Sequence, residues 1–547
     1  MQTRTTRARL QDETILVISD LHMGSGRDPH RGTWSPTEDF FWDNEFAEFL
    51  AHYGKEGRCR LVINGDMVDF LQVLTLPTDE EARLYGIPVR DISPRYGLRC
   101  SEAAAVFQMD RVLDGHPVAF QALADFLSLG NRVTIIKGNH DIQFFWESAQ
   151  ETLRRRLALL APQRRAAVVR KNLEFLPWFF YIPGILYVEH GNQYEPATSF
   201  SNFLAPVLPY DTPGAGRHIE LDLGSFLVRY FSNRMEVLDI RADNYRPLAR
   251  YLQMFFSEHP LVFLSTARDV LRYLTKTVAK ARGTARGRRS REYRDIVERN
   301  AELLRAEAVR VGGGNPQGVE ELRQALQDIA ASRATPSLSA GVNRYLGSLL
   351  RRPVRALLWI APLYLMVFLA DVVDVGSTWI TTRFSTLVQE AWRLIVFIRL
   401  PHLMFTAVVV ACALAIRQSL RGRNQQDALR EDPVTLLRRA ASYVAGRLKV
   451  PYVVFGHSHA EDSQVVCDGT TYFNSGTWIG VFSEGESLYR AVHQFSFVKF
   501  QDGRGELLHW DPQRAAARPV IVVDAAPFRL PERARWIRTL WNLVRRK

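Results

Sequence analysis

Five short clusters carry the side chains of this chain best suited to divalent metal ions. They are Asp20-Leu21-His22, Gly65-Asp66-Met67-Val68-Asp69, Gly138-Asn139-His140-Asp141, Glu189-His190-Gly191 and Gly456-His457-Ser458-His459. Each stands directly behind an apolar run, namely TILVIS, RLVIN, RVTIIK, ILYVE and PYVVF. In α/β sheets the loops beyond the strand ends are where ligand sites are built. Alternate residues at a strand end point the same way, so Asp20 with His22, and His457 with His459, are expected to face one centre. Imidazole together with carboxylate suits manganese, iron, zinc or nickel better than calcium, which prefers oxygen alone. A carboxylate can also bridge two ions. A single histidine in any of these places would be read as structural; five clusters, each in the same context, point to one metal centre. His30, His52, His116, His218, His259, His402 and His493 lack comparable partners and are read as structural or surface residues.

The elements that must position these residues follow from the periodicity. Residues 14–195 alternate strand-like apolar runs with helical stretches, an α/β pattern. Residues 196–445 change to long helix-favouring segments rich in Leu, Ala and Arg, broken by GGGNPQG and SRATPSLSAG, and read as a large all-α insertion. Strand signals return at KVPYVVF, CDGTTYFNSGTWIGVF and HQFSFVKF. The expected organisation is therefore a first α/β part at 1–195, the insertion at 196–445, a second α/β part at 446–526 and a basic amphipathic helix at 527–547.

In this order, DLH, GDMVD, GNHD, EHG and GHSH resemble the calcineurin-like metallophosphoesterases. The resemblance covers residues 14–195 and 448–500 and implies a two-sheet β core flanked by helices. Carried over position by position, it implies that Asp20, His22 and His459 hold one metal, that Asn139, His190 and His457 hold a second, and that Asp66 bridges them. His140 matches the histidine that contacts the phosphoryl oxygen or protonates the leaving group, and Asp69 the carboxylate that orients it. The segment YFNSGTW resembles the stretch that follows the last ligands. Manganese is the first choice of cofactor, with iron, zinc and nickel as alternatives. The implied reaction is hydrolysis of a phosphomonoester, phosphodiester or pyrophosphate bond, with a bridging water as nucleophile. Among bacterial members the overall look is closest to UDP-2,3-diacylglucosamine pyrophosphohydrolases, which offer no counterpart to the insertion. One departure is Phe70, where many members carry an arginine after the second aspartate of GDxxD; it is read as a core residue, with an apolar approach to the site as the alternative.

With 70 Lys and Arg against 58 Asp and Glu, the net charge of +12 favours anionic partners. Four scattered cysteines without a CxxC pair suggest neither a disulfide framework nor a thiolate zinc site. The basic N-terminus lacks an apolar stretch, so no secretory signal is read there. Two uncharged runs, Ala356–Ala370 of 15 residues and Leu400–Ile416 of 17, define a candidate membrane hairpin at 354–375 and 394–416. Arg351, Arg352, Arg355, Arg417, Arg421 and Arg423 outside the two runs place both ends on the cytoplasmic side. An even number of crossings is also required if ligands on either side of the insertion are to meet. A buried helical hairpin in a soluble insertion is the alternative. Expected partners are a phosphoester substrate and a membrane or anionic lipid, with nucleic acid less favoured. A nuclease, or a non-catalytic scaffold on the same fold, are the competing functions.

Overall fold

The computed structural model describes residues 13–55, 58–208, 217–238, 291–312, 316–333, 433–467, 469–480 and 495–520, with a few isolated positions between 258 and 386. The candidate membrane hairpin and the C-terminal helix lie outside the described residues.

In chain order the strands of the two main sheets are β1 Thr14–Ile18, β2 Cys59–Asn64, β3 Arg132–Ile136, β4 Leu173–Leu176, β5 Phe179–Ile182, β6 Leu186–Glu189, β7 Tyr452–Phe455, β8 Glu461–Cys467, β9 Thr470–Ser475, β10 Ser496–Gln501, β11 Arg504–Asp511 and β12 Ala516–Pro519. The larger sheet has the order β12-β11-β10-β1-β2-β3-β4 and the smaller one β8-β9-β7-β6-β5. β1 to β4 run parallel, whereas β10 pairs with β1 antiparallel. In the smaller sheet β6, β7 and β9 run parallel. The chain thus closes both sheets with strands from beyond the insertion: β10 completes the larger sheet at β1, and β7 lies against β6.

The apolar runs show no polar alternation because both faces of the central strands are buried. Ile15, Val17, Val62, Ile136, Leu186, Val188, Val454, Phe473 and Val498 meet between the sheets. Leu16, Ile18, Leu61, Ile63 and Ile135 face the other way, into a core shared with helices α1 Asp43–Gly54, α2 Glu102–Gly115, α3 Pro117–Ser128 and α4 Glu147–Leu160. Phe49 of α1 is the aromatic centre of that layer, edge-on to Trp478, Phe497 and Trp510. Over the smaller sheet lie α5 Arg291–Gly312, α6 Pro316–Ser332 and α7 Pro433–Leu448, whose Ala308, Leu326, Ile329, Leu437 and Val444 join the same core. The boundary expected at 445/446 falls inside the continuous helix α7. The fold is mixed α/β with two stacked sheets and flanking helices.

Residues 24–40, which follow the first cluster, are held by one buried carboxylate. Glu38 accepts N–H bonds from Gly24, Gly26 and Phe40 at 3.0, 2.5 and 3.0 Å. His116, completely buried between α2 and α3, lies 3.5 Å from Glu38 and 3.1 Å from Asp43. Burial opposes protonation of this imidazole, but the carboxylates of Glu38 and Asp43 outweigh it and push the pKa up to about 9. A pKa raised on folding stabilises fully below the unfolded value of 6.5 and ceases to do so as the pH rises through about 9. The stability difference between wild type and His116→Gln in urea unfolding is therefore expected to be largest below pH 6.5 and to shrink toward pH 10; a difference constant over that range would refute the charged cluster.

Candidate metal centre

The five clusters sit just past the C-terminal ends of β1, β2, β3, β6 and β7, three strands of one sheet and two of the other, which open at the same edge of the stack. The loops do not continue the strands. Asp20, His22, Asp66, His457 and His459 all have positive φ, between 47° and 70°, a left-handed conformation that costs a non-glycine residue roughly 1–2 kcal/mol. Such strain persists only where surrounding structure fixes it, and it concentrates at functional sites. Of the two pairs expected from strand alternation to share a centre, Asp20 and His22 do, whereas His457 and His459 fall in different groups; at both pairs the chain passes through left-handed turns rather than continuing the strand.

Several bonds impose these turns. The backbone N–H groups of Asp20 and His22 donate to the carbonyls of Gly65 and Asp66, so the first two clusters are laced together. The N–H of His457 donates to Asp20 Oδ2 at 3.0 Å, and that of His140 to Asp66 Oδ1 at 2.8 Å. The YFNSGTW stretch supports them from behind: Thr477 Oγ1 donates to the Asp20 carbonyl at 2.6 Å, and Asn474 Nδ2 to the Gly456 carbonyl at 2.8 Å. Two glycines are required by contact. A Cβ at Gly138 would lie 2.1 Å from Asp66 Oδ1, and one at Gly456 2.7 Å from Asp20 Oδ2.

The side chains converge in overlapping groups. Ligand atoms of Asp20, His22 and His459 lie within 4.8 Å of one another, as do those of Asp66, His190 and His457, and those of His22, Asp66 and His140. His22 Nε2 is 3.1 Å from His459 Nε2 and 3.9 Å from Asp66 Oδ2, so Asp66 lies between the first two groups. His190 Nε2 is 3.0 Å from the same Asp66 oxygen. Its Nδ1 donates to the Asn64 carbonyl at 2.8 Å, which leaves Nε2 as the ring's lone-pair nitrogen. Asp69 Oδ2 meets His140 Nδ1 at 2.5 Å and His22 Nδ1 at 3.3 Å, while its other oxygen accepts from the N–H groups of Leu71 and Gln72. Phe70 is buried edge-on against Phe144, a core residue.

The electrostatics favour cations. Asp20, Asp66, Asp69 and Asp141 are all buried. Burial opposes ionisation of Asp66 and Asp69, yet the histidines around them hold both carboxyls well below the usual range. Reciprocally, His140 and His190 are pushed up to about 9, against burial, by Asp69 and Asp66 and by Asp66 and Asp20 respectively. Asp141, driven up to about 7 by burial and by Asp66, plays a different part: it receives the N–H groups of Gly138 and Met67. Excess carboxylate charge that stabilises imidazolium equally stabilises a divalent ion, which would displace those protons. The buried Asn139 Oδ1 has no hydrogen-bond partner, an arrangement costly in a protein interior unless a cation or water is held there. The donor set fits borderline divalent metals.

Some neighbours were not found from sequence. Glu195 Oε2 and Thr198 Oγ1 lie 2.9 and 3.0 Å from His457 Nε2, which leaves Nδ1 as the nitrogen for a metal. Asp222, driven up to about 6 by burial with Ser225 opposing, interacts electrostatically with both His140 and His457. Ser225 Oγ reaches the Asn139 carbonyl at 3.5 Å. These residues lie at or past the boundary drawn at 195; only the acidic residue five positions after His190 could have drawn attention to Glu195.

Buried carboxylates and histidines gather at the mouth of two stacked sheets in three groups able to hold metal ions. Residues 13–259 match the family described as calcineurin-like phosphoesterase. Over that segment the chain carries a calcineurin-like phosphoesterase domain, which indicates a metal-dependent phosphoric ester hydrolase. The match ends before the strand bearing His457 and His459, which the fold returns to the site. No curated protein matches the chain.

Gly138→Ala is expected to displace Asp66 and the turn carrying Asn139, with at least a tenfold loss of metal affinity while far-ultraviolet circular dichroism is retained. Unaltered metal content by atomic absorption would show that the close approach has no consequence.

Proposed function

We propose that this protein hydrolyses a phosphomonoester, phosphodiester or pyrophosphate bond with two divalent cations, manganese first among them. Asp20, His22 and His459 would hold one cation and Asn139, His190 and His457 the other, with Asp66 shared. The observation that carries this reading is the position of Asp66, which approaches a histidine of each group, His22 at 3.9 Å and His190 at 3.0 Å. When bound, such a pair supplies an activated water nucleophile and neutralises charge on the phosphoryl oxygens.

The chain's own residues then perform the proton chemistry. Asp69 fixes the His140 ring through Nδ1, so Nε2 is the nitrogen that can reach a substrate, and the Asp69 carboxylate against the ring favours its protonated form. His140 is also the more open partner of that pair, its side chain 17% exposed against 1% for Asp69. It is thus placed to donate a proton to the departing oxygen, a contribution of about 10²–10⁴ in rate. The left-handed turns and their backbone bonds hold the ligands before substrate arrives, so binding requires little reorganisation.

A membrane-proximal substrate on the cytoplasmic side is supported by the apolar runs Ala356–Ala370 and Leu400–Ile416 with their flanking arginines. No helix among the described residues is long and apolar enough to cross a membrane, and both runs fall outside them.

The test is hydrolysis of a nitrophenyl phosphodiester with added manganese, before and after chelation. Asp66→Ala is expected to abolish turnover and lower the bound metal. His140→Ala should lower kcat by about 10²–10⁴ with metal content nearly unchanged. A folded wild-type protein that binds no metal and is inert toward phosphoesters would overturn the proposal, as would substantial turnover by Asp66→Ala.

A further inference from the structure

The helical hairpin α5–α6 has no part in the chemistry described above, and it lies beyond the segment that matches the family. Its last described residue is Arg333, which is buried although it is an arginine. The Arg333 guanidinium stacks 3.8 Å over the Trp178 ring and donates to Glu189 Oε1 at 2.6 Å. Glu189 is the residue immediately before His190.

Glu189 is a hub. Its Oε1 also accepts from Trp178 Nε1 at 2.9 Å, and its Oε2 from the hydroxyls of Tyr187 and Tyr194 at 2.6 and 3.0 Å. Its backbone carbonyl accepts from Asn64 Nδ2 at 2.8 Å. Three of the four side-chain donors are neutral, so Arg333 supplies the compensating charge among the groups bonded to this buried carboxylate. A buried charge that loses its partner is strongly destabilising, because desolvation is no longer offset. The strain would fall on the two segments the hub joins. One runs directly from Glu189 into His190. The other runs from Tyr194 into Glu195, whose carboxylate meets His457 Nε2. Both histidines of one candidate half-site therefore touch segments that leave the hub, His190 directly and His457 through Glu195. Asp20 and His22 sit on a separate loop with bonds to Gly65, Asp66 and Asp69, and His459, although it shares a loop with His457, is held on their side by His22 at 3.1 Å and Asp20 at 3.3 Å.

We infer that Arg333 is a positioning residue through which the insertion sets the geometry of the His190–His457 half-site, so that docking of α5–α6 controls occupancy of the second metal. This inference rests on the two-metal reading of the site. Arg333 touches no reacting atom and acts only through Glu189. The same contact makes the inserted helices part of the catalytic domain: the chain leaves the hub at residue 334 for the segment that contains the two apolar runs.

The experiment is a manganese titration of the full-length protein, followed by calorimetry and by the electron paramagnetic resonance signal of coupled manganese pairs. Wild type should bind two ions. Arg333→Met should keep the first and lose affinity for the second by about 10- to 100-fold, the usual effect of removing a partner that orients a metal ligand. Arg333→Lys, which keeps the charge but not the flat stack over Trp178, should fall between. The double variant Arg333→Met with Glu189→Gln removes both charges, preserves a foldable core if the single variant fails to fold, and should recover part of the second-site affinity. Equal weakening of both ions in the variants, or unchanged binding of both, would overturn the inference while leaving the two-metal reading intact. A wild type that binds a single ion would instead overturn the two-metal reading, and this inference with it.

Discussion

The constraint on which this structure depends is the confinement of ionised carboxylates in a protein interior. Asp20, Asp66 and Asp69 are buried at the mouth of two stacked sheets, and each stays ionised only because histidines approach it. A lone buried carboxylate would take up a proton rather than bear the desolvation cost. Gathering several within a few ångströms works only if positive charge is supplied to the same place. The centre is thus built as a demand for cations, and hydrolysis of an anionic ester is a use that this demand permits.

That demand explains the backbone. A regular strand puts residues i and i+2 on one face but roughly 6.5–7 Å apart along it, too far to bring their donors onto ions a few ångströms across. The chain solves this with left-handed turns at five of the nine proposed site residues, Asp20, His22, Asp66, His457 and His459. The local cost is borne by a rigid surround. Parallel strands buried on both faces fix the turn origins, the Asn474 and Thr477 side chains clamp the loops, and Gly138 and Gly456 let backbone pass where a side chain would collide.

The chain connectivity adds a further layer. Two of the proposed ligands, His457 and His459, arrive from beyond an insertion of some 250 residues, yet β7 pairs in parallel with β6 and seats them beside His190. The insertion is not a detached appendage. Asn300 of α5 accepts the Leu204 N–H at 3.1 Å, Asp328 of α6 pairs with Arg447 of α7 at 3.1 Å, and Arg333 enters the hub behind His190. Residues read from sequence as a separate helical unit therefore share the core and the charge network of the catalytic domain.

The sequence by itself determined the metal-capable clusters, the strands behind them and hence the class of chemistry, because side-chain type and apolar periodicity are local properties legible without coordinates. The reading of Phe70 as core and of His116 as structural belongs to the same kind, since burial follows from hydrophobicity and from the absence of partners in sequence. Only tertiary structure decided how Asp20 and His22 come to face one centre, since φ at a non-glycine residue is imposed by contacts. It also decided that Glu195, Thr198, Asp222 and Arg333 belong to the site or its support. These four carry no motif: an isolated Glu or Arg has no address in the chain, and its role is created when folding removes it from water beside a charge that needs it.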